Sequence, residues 1–231
     1  MIRILTASAA LALACIPGVS RAKDVQPPAW PDTALARTGA LALLQTLNAE
    51  LLSHDSATLT LDGWCARRRL APAGSRIVAE RVRGQDKIAT PEVRAELQVG
   101  AEEPVRYRRV RLRCGDRILS EADNWYVPSR LTPEMNSVLD TSDTAFGRAV
   151  QALHFRRQTM SATLLWSPLP DDWDVATKAP PRHAGRPLPV PAHVIEHRAV
   201  LRLPDGMPFS QVVESYTGAV LGAPPAMLVH R

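Results

Sequence analysis

The chain has 231 residues, of which 45% are hydrophobic and 22% are charged, and its formal net charge is +5. This composition excludes an intrinsically disordered chain, because it supplies enough apolar surface for a full core. The positive charge is not gathered as a nucleic-acid groove requires, and no segment after the N-terminus approaches the roughly 20 apolar residues of a membrane span. We therefore predict no nucleic-acid partner and no stable membrane span.

Residues 1–22 have the pattern of an export signal. A short positive segment at 1–3 precedes an almost uninterrupted apolar run at 4–17, and residues 20–22 form a small-x-small cleavage site. We expect a cleaved signal and a periplasmic or secreted protein. Cys15 lies in a loose version of a lipid-attachment motif, so a lipid anchor there is the alternative.

The first half of the mature chain is predicted to be mainly helical. Apolar residues recur at helical spacing after the Pro-rich lead-in, Ser56 can cap a second helix, and Thr90-Pro91 is a typical helix start. The predicted elements are a lead-in over 23–32, helices over 34–52 and 57–68, a strand over 76–82 and a helix over 90–100.

Two β-hairpins dominate the second half. Gly115-Asp116-Arg117 separates strands over 107–114 and 118–127, and Pro204-Asp205-Gly206 separates strands over 194–203 and 209–220. Between the hairpins we predict a short helix from 132, a helix over 144–153, an extended segment over 155–166 and a Pro-rich loop over about 168–192. This order predicts a single α+β domain over 33–231, an antiparallel sheet with helices on one face.

Two further patterns have alternative interpretations. Cys65 and Cys114 are the cysteines left after signal removal, and they are either a disulfide or two buried thiols. His193 to His197 matches the inverted zinc-protease pattern H-x-x-E-H, which needs a helix. Because prolines precede this motif and alternating residues follow it, we predict a strand there and no metal site.

The first hairpin carries the densest charge. Arg109, Arg111 and Arg113 alternate with apolar residues, so they share one face, and a solvated ladder paired with surface acids explains the last two. On the closing strand, Glu214 lies between apolar neighbours, where it is either buried with a partner or at a strand edge.

Several short motifs together resemble chorismate pyruvate-lyase and the related effector-binding (UTRA) domain of certain bacterial transcription regulators. The resemblance covers about residues 75–220 and is interrupted at the Pro-rich loop. Its motifs are Arg109 with Cys114 and Asp116, the extended run that ends at Pro128, T-x-F-G-R at 144–148, and a C-terminal hairpin with Glu214 near its end.

The resemblance implies an antiparallel sheet with helices on one side and a small-molecule pocket between them that needs no cofactor. It implies that Arg109 anchors a substrate carboxylate and that Glu214 acts as proton donor or hydrogen-bond partner, since a carboxyl group in apolar surroundings holds its proton more tightly. Phe146 and Gly147 fall where the family's backbone meets the ligand, and Asp123 stands where the lyase has a pocket-lining glycine.

The predicted partner is therefore a small anionic cyclic or aromatic carboxylate, and the implied reaction is elimination of pyruvate from chorismate to give 4-hydroxybenzoate. Because a carboxylate at Asp123 repels an anionic substrate, a non-catalytic binding protein is the first alternative. An envelope protein whose Pro-rich loop docks on another protein is the second.

Overall fold

The computed structural model describes residues 29–175 and 186–228. The predicted signal at 1–22 and Cys15 lie outside these ranges. Within them, none of the helices has both the length and the apolar character needed to cross a membrane. The helices are α1 (Ala34–Ser53), α2 (Ala57–Arg67), α3 (Pro91–Leu97), α4 (Pro133–Thr141) and α5 (Phe146–Ala149), and the strands are β1 (Ile77–Val82), β2 (Arg106–Cys114), β3 (Arg117–Tyr126), β4 (Arg156–Leu164), β5 (His193–Arg202) and β6 (Pro208–Thr217).

The helices begin where the sequence provides caps. The Ser56 hydroxyl accepts a hydrogen bond from the backbone N–H of Leu59 at the start of α2. Thr90 and Thr132 cap α3 and α4 in the same way, each followed by a proline in the first turn. The helix predicted over 144–153 is shorter than expected, because a 3-10 turn follows α5.

The six strands form one antiparallel sheet in the order β1-β2-β3-β6-β5-β4. The two predicted hairpins are β2–β3 and β5–β6, and they pair with each other through β3 and β6. Gly115 turns the first hairpin with φ of 56°, a left-handed conformation that glycine adopts without strain. β4 pairs only with β5, so it is an edge strand.

The main core lies between α1, α2 and one face of the sheet. Leu44, Leu47 and Trp64 bury their side chains there against alternate residues of β2 and β3. The short helix α3 packs on the opposite face, where Val93 contacts Trp125. The predicted α+β class with an antiparallel sheet is confirmed, but the helices are not all on one face as predicted, because α3 packs on the other.

A disulfide joins the helical layer to the sheet, and a backbone hydrogen bond joins the Pro-rich loop to the lead-in. Cys65 of α2 and Cys114 of β2 form a disulfide, so the bonded alternative is the one present. The described ends of the Pro-rich loop contain no helix or strand, as predicted. The N–H of Leu188 donates to the carbonyl of Trp30 at 2.7 Å, which ties the loop to the lead-in.

Candidate ligand-binding site

A cavity with an open mouth lies between the sheet and the turn that joins α1 to α2. Strands β2, β3 and β6 form its floor, and α5 and β4 close its sides. Its walls combine eight apolar residues with seven polar or charged ones. The apolar lining residues are Ala57, Val110, Leu112, Ala122, Phe146, Phe155, Leu201 and Val212.

Glu214 of β6 lines this cavity and has two buried partners. Arg157 of the edge strand donates to its Oε2 at 2.6 Å, and the Tyr216 hydroxyl donates to the same oxygen at 3.1 Å. The side chains of Arg157 and Glu214 are 3% and 8% exposed. Of the two environments that the sequence allowed for Glu214, the structure shows burial with a partner.

The pair favours the charged form of Arg157. Burial alone would lower the pKa of Arg157, but the adjacent carboxylate of Glu214 outweighs it and the pKa is raised. The pKa of Tyr216 is raised well above its usual value, first by burial and then by the same carboxylate. Within the described part of the chain, Arg157 Nε has no hydrogen-bond partner, so the guanidinium keeps an unused donor.

Arg108 of β2 is a buried cation on the cavity floor, and only 2% of the residue is exposed. Its terminal nitrogens donate to the backbone carbonyls of Thr144, at 3.1 and 3.2 Å, and Ser142, at 3.4 Å. Its Nε has no partner, and burial lowers its pKa. Across the residues described, no salt bridge joins Arg108 to a carboxylate.

Asn124 of β3 adds a third unused donor. The Ser210 hydroxyl donates to Asn124 Oδ1 at 2.6 Å, which leaves the Nδ2 group without a partner although the residue is 97% buried. Asn124, Arg108 and Arg157 all line the same cavity. Three nitrogen donors with unused hydrogen-bonding capacity therefore belong to residues that line the cavity.

The structure brings together only some of the residues that the resemblance selected. Glu214, Phe146 and Gly147 all line the cavity. A Cβ added at Gly147 would lie 2.7 Å from Ser56 Oγ, so this glycine lets α5 approach the start of α2 closely. The catalytic and binding roles assigned to these residues remain predictions.

The prediction that Arg109 and Asp123 face the ligand is not supported by their positions, since neither lines the cavity. They lie opposite each other on β2 and β3 and pair at 3.3 Å on the other face of the sheet. The reason is strand alternation: Arg109 points away from the face that Val110 shares with Arg108.

Sequence analysis missed three residues of the site, and only one left a clear signal. The clear signal is that of Arg108, which lies two residues before Val110, so strand alternation places it on the same apolar face of β2. Asn124 is polar on a buried strand, but nothing distinguished it from an edge residue. Arg157 follows another arginine on a strand whose residues are mostly exposed, so its burial depends on tertiary packing.

The outer face of the sheet carries the predicted arginine ladder. Arg113 pairs with Glu80 at 2.7 Å, and Arg111 pairs with Glu80 and Glu121 at 3.3 and 3.2 Å. The Tyr107 hydroxyl also donates to Asp123. The explanation of Arg111 and Arg113 as a ladder paired with surface acids is confirmed, and such pairs contribute little stability each.

The H-x-x-E-H motif lies on strand β5, as predicted, but its two histidines do not share a face. A bulge after His193 turns that residue toward Glu121, at 3.2 Å, whereas His197 is buried and contacts Asn48 Oδ1 at 2.8 Å. Burial lowers the pKa of His197 to about 4. Among the described residues, no group of three or more His, Cys, Asp or Glu could hold a metal ion.

Comparison with known proteins gives one strong sequence relative. No family model matches the chain. An uncharacterized protein of Sinorhizobium fredii, y4mC, is 60% identical over 199 residues, which cover 86% of this chain and 84% of that protein.

Similar solved structures have 16% sequence identity. The effector domain of PhnF from Mycobacterium smegmatis matches 71% of this chain and 89% of its own, with a TM-score of 0.45. A GntR-family transcriptional regulator from Enterococcus faecalis matches 61% and 94%, with a TM-score of 0.39. The chain spans 58% of YydK from Bacillus subtilis and 64% of the longer PhnF structure.

Proposed function

We propose that this chain, which belongs to the same family as the uncharacterized protein y4mC, binds a small cyclic or aromatic carboxylate in the cavity beneath its helices. The observation that carries the proposal is Arg108, a buried guanidinium whose partners are backbone carbonyls. A buried cation without a counter-ion is costly, and a carboxylate satisfies a guanidinium through charge-assisted hydrogen bonds.

The rest of the lining supports a ring-containing ligand. The apolar side chains around the cavity, which include Phe146, Phe155 and Val212, offer contact to a flat hydrocarbon surface. The unused donors of Arg108 and Asn124 suit the ligand's carboxylate. Glu214 suits a hydroxyl group at another position of the ring, since a carboxylate accepts hydrogen bonds.

A thermal-shift measurement with benzoate and 4-hydroxybenzoate tests this proposal. At ligand concentrations of about 100 times Kd, binding should raise the melting temperature by roughly 5–10 °C. Arg108→Gln should abolish the shift, whereas Arg109→Gln, the matched control on the outer face, should keep it. A shift in both variants would remove Arg108 from the site, and the absence of any shift in the folded wild type would contradict the proposal.

A second candidate function, which the resemblance implies, is elimination of pyruvate from chorismate in the same cavity. In that reaction the ether bond to the ring breaks, a ring proton is lost, and the ring becomes aromatic. The enclosed cavity would contribute orientation and exclusion of water. In this scheme Arg108 takes the carboxylate-anchoring role that the resemblance gave to Arg109, and Glu214 would face the ring hydroxyl.

Turnover is measured by incubating the folded protein with chorismate and quantifying 4-hydroxybenzoate. A lyase should exceed the spontaneous rate, and both Arg108→Gln and Glu214→Gln should lower the rate while Arg109→Gln should not. If a sample that binds benzoate turns over chorismate no faster than the spontaneous background, the lyase activity is refuted and the binding function is retained.

We also propose that the protein is exported. The signal pattern at 1–22 motivates this proposal, and the Cys65–Cys114 disulfide supports it because disulfides persist in oxidising compartments. Cell fractionation of a tagged full-length chain should recover it, shortened at its N-terminus, outside the cytoplasm. Recovery of the unshortened chain in the cytoplasm would contradict this proposal.

A further inference from the structure

The charges that line the cavity do not cancel. Arg157 and Glu214 neutralise each other at 2.6 Å. Asp55 lies at the mouth, where its side chain is 44% exposed and lies 3.9 Å from Arg156. Because water screens an exposed pair of this kind, Asp55 contributes little to the interior. Among the described residues, Arg108 is therefore the one buried charge of the lining that no carboxylate pairs with.

The unused hydrogen-bonding atoms have the same bias. Arg108 Nε, Asn124 Nδ2 and Arg157 Nε are all donors, and all three residues line the cavity. The buried acceptors without partners in the described residues, such as Gln211 Oε1, belong to residues that do not line it. The cavity thus offers donors and one excess positive charge.

We propose that the cavity selects ligands that carry a single negative charge and that this charge binds at Arg108. A monocarboxylate fits this charge rule, whereas a dicarboxylate and a neutral analogue of the same shape do not. The inference rests on the proposed carboxylate site and adds the property by which that site discriminates.

A second carboxylate on the ligand meets no second cation that is free of a carboxylate partner. Besides apolar residues and neutral polar ones such as Asn124 and Thr58, the lining has Glu214 and Asp55, whose negative charges would repel it, and Arg157, which Glu214 already neutralises. The cost of burying such an ion predicts an affinity loss of about 100-fold or more. A neutral ligand leaves Arg108 without a counter-ion, which predicts a loss of about tenfold or more.

This charge rule also separates the two functions considered above. Chorismate carries two carboxylates, whereas hydroxybenzoates and other simple ring acids carry one. The cavity therefore favours a singly charged ring acid as its resident ligand, and this favours a binding protein over a lyase.

Isothermal titration of the folded protein at fixed ionic strength tests the rule with three probes of similar shape: benzoate, benzamide and terephthalate. Benzoate should bind most tightly, and the other two should follow the losses given above. Arg108→Met removes the charge but keeps an aliphatic side chain, so it should bind benzoate and benzamide equally. Arg111→Met, on the outer face, should keep the wild-type order. If Arg108→Met does not fold, the wild-type ratios decide alone.

Equal wild-type affinities for benzoate and terephthalate, or for benzoate and benzamide, would overturn the charge rule while the proposed function stands. If none of the three probes binds, the proposed function fails. Formate then tests the rule separately, because it carries the same charge without a ring. A rise in melting temperature with sodium formate over sodium chloride, in the wild type and not in Arg108→Met, supports the rule, and equal effects of the two salts overturn it.

Discussion

The buried pair of Arg157 and Glu214 allows a quantitative prediction about stability. Replacing Glu214 with glutamine removes the negative charge but keeps the shape, so it leaves the guanidinium buried without a counter-ion. With the two side chains 3% and 8% exposed and 2.6 Å apart, water cannot compensate the loss. Breaking a buried pair by removing one partner costs about 3–5 kcal/mol, and we expect Glu214→Gln to lower the free energy of unfolding by that amount.

The same chain provides a matched control. Arg106 and Asp140 are 2.7 Å apart, but their side chains are 50% and 44% exposed. Because exposed pairs contribute at most about 1 kcal/mol, Asp140→Asn should change stability by less than that. A double variant, Arg157→Met with Glu214→Leu, replaces both charges with apolar groups and should recover most of the loss.

Urea unfolding followed by circular dichroism measures these differences, provided that the dependence on urea concentration has the same slope in each variant. A loss for Glu214→Gln no larger than that for Asp140→Asn would refute the reasoning, because it would mean that water reaches the pair. Failure of the double variant to exceed Glu214→Gln in stability would show instead that the loss comes from packing and not from charge.

Three further predictions concern other parts of the fold. The Cys65–Cys114 disulfide spans 49 residues, so reduction should cost about 4 kcal/mol of stability on the loop-entropy estimate, and an unchanged urea midpoint after reduction would contradict this. The pKa of His197 is about 4 in the folded protein and 6.5 ordinarily, so the free energy of unfolding is highest above pH 6.5 and falls by about 3 kcal/mol as the pH falls to 4. His197→Gln should flatten this fall, and identical pH profiles of stability would exclude His197 as its cause. Gly147→Ala should lower the free energy of unfolding by about 1–3 kcal/mol, because the new methyl group meets a hydroxyl at 2.7 Å. Gly63→Ala, where the nearest atom is 3.6 Å away, should be neutral or stabilising, and equal melting temperatures of the two variants would contradict the close approach at Gly147.

The sequence predicted what local chemistry controls. Capping residues such as Ser56, the glycine turn at Gly115 and the alternation of β2 each act within a few neighbours, and each is found in the structure. The alternation also identified the shared face of Arg109 and the arginines that follow it. The position of Glu214 in the cavity agrees with the resemblance because the closing strand is long and regular.

The rest of the site depends on interactions between distant segments. Arg157 lies on an exposed edge strand, and it is buried only because Asp55 accepts its backbone N–H at 2.8 Å and Glu214 pairs with its side chain. The bulge after His193 separates the histidines of H-x-x-E-H, and alternation alone does not reveal a bulge. The resemblance placed the anchoring arginine one residue away from Arg108, because short motifs do not determine which residue faces inward.

The two adjacent arginines of β2 also affect how this family can change by insertion or deletion. Because neighbouring strand residues point to opposite faces, Arg108 serves the cavity and Arg109 serves the outer face. A one-residue insertion just before Val110 would exchange their faces and would still bring a guanidinium to the cavity. Two adjacent arginines therefore keep a cation at the cavity after a change of one residue in length. A strand with a single arginine would lose its cation from the cavity after the same change.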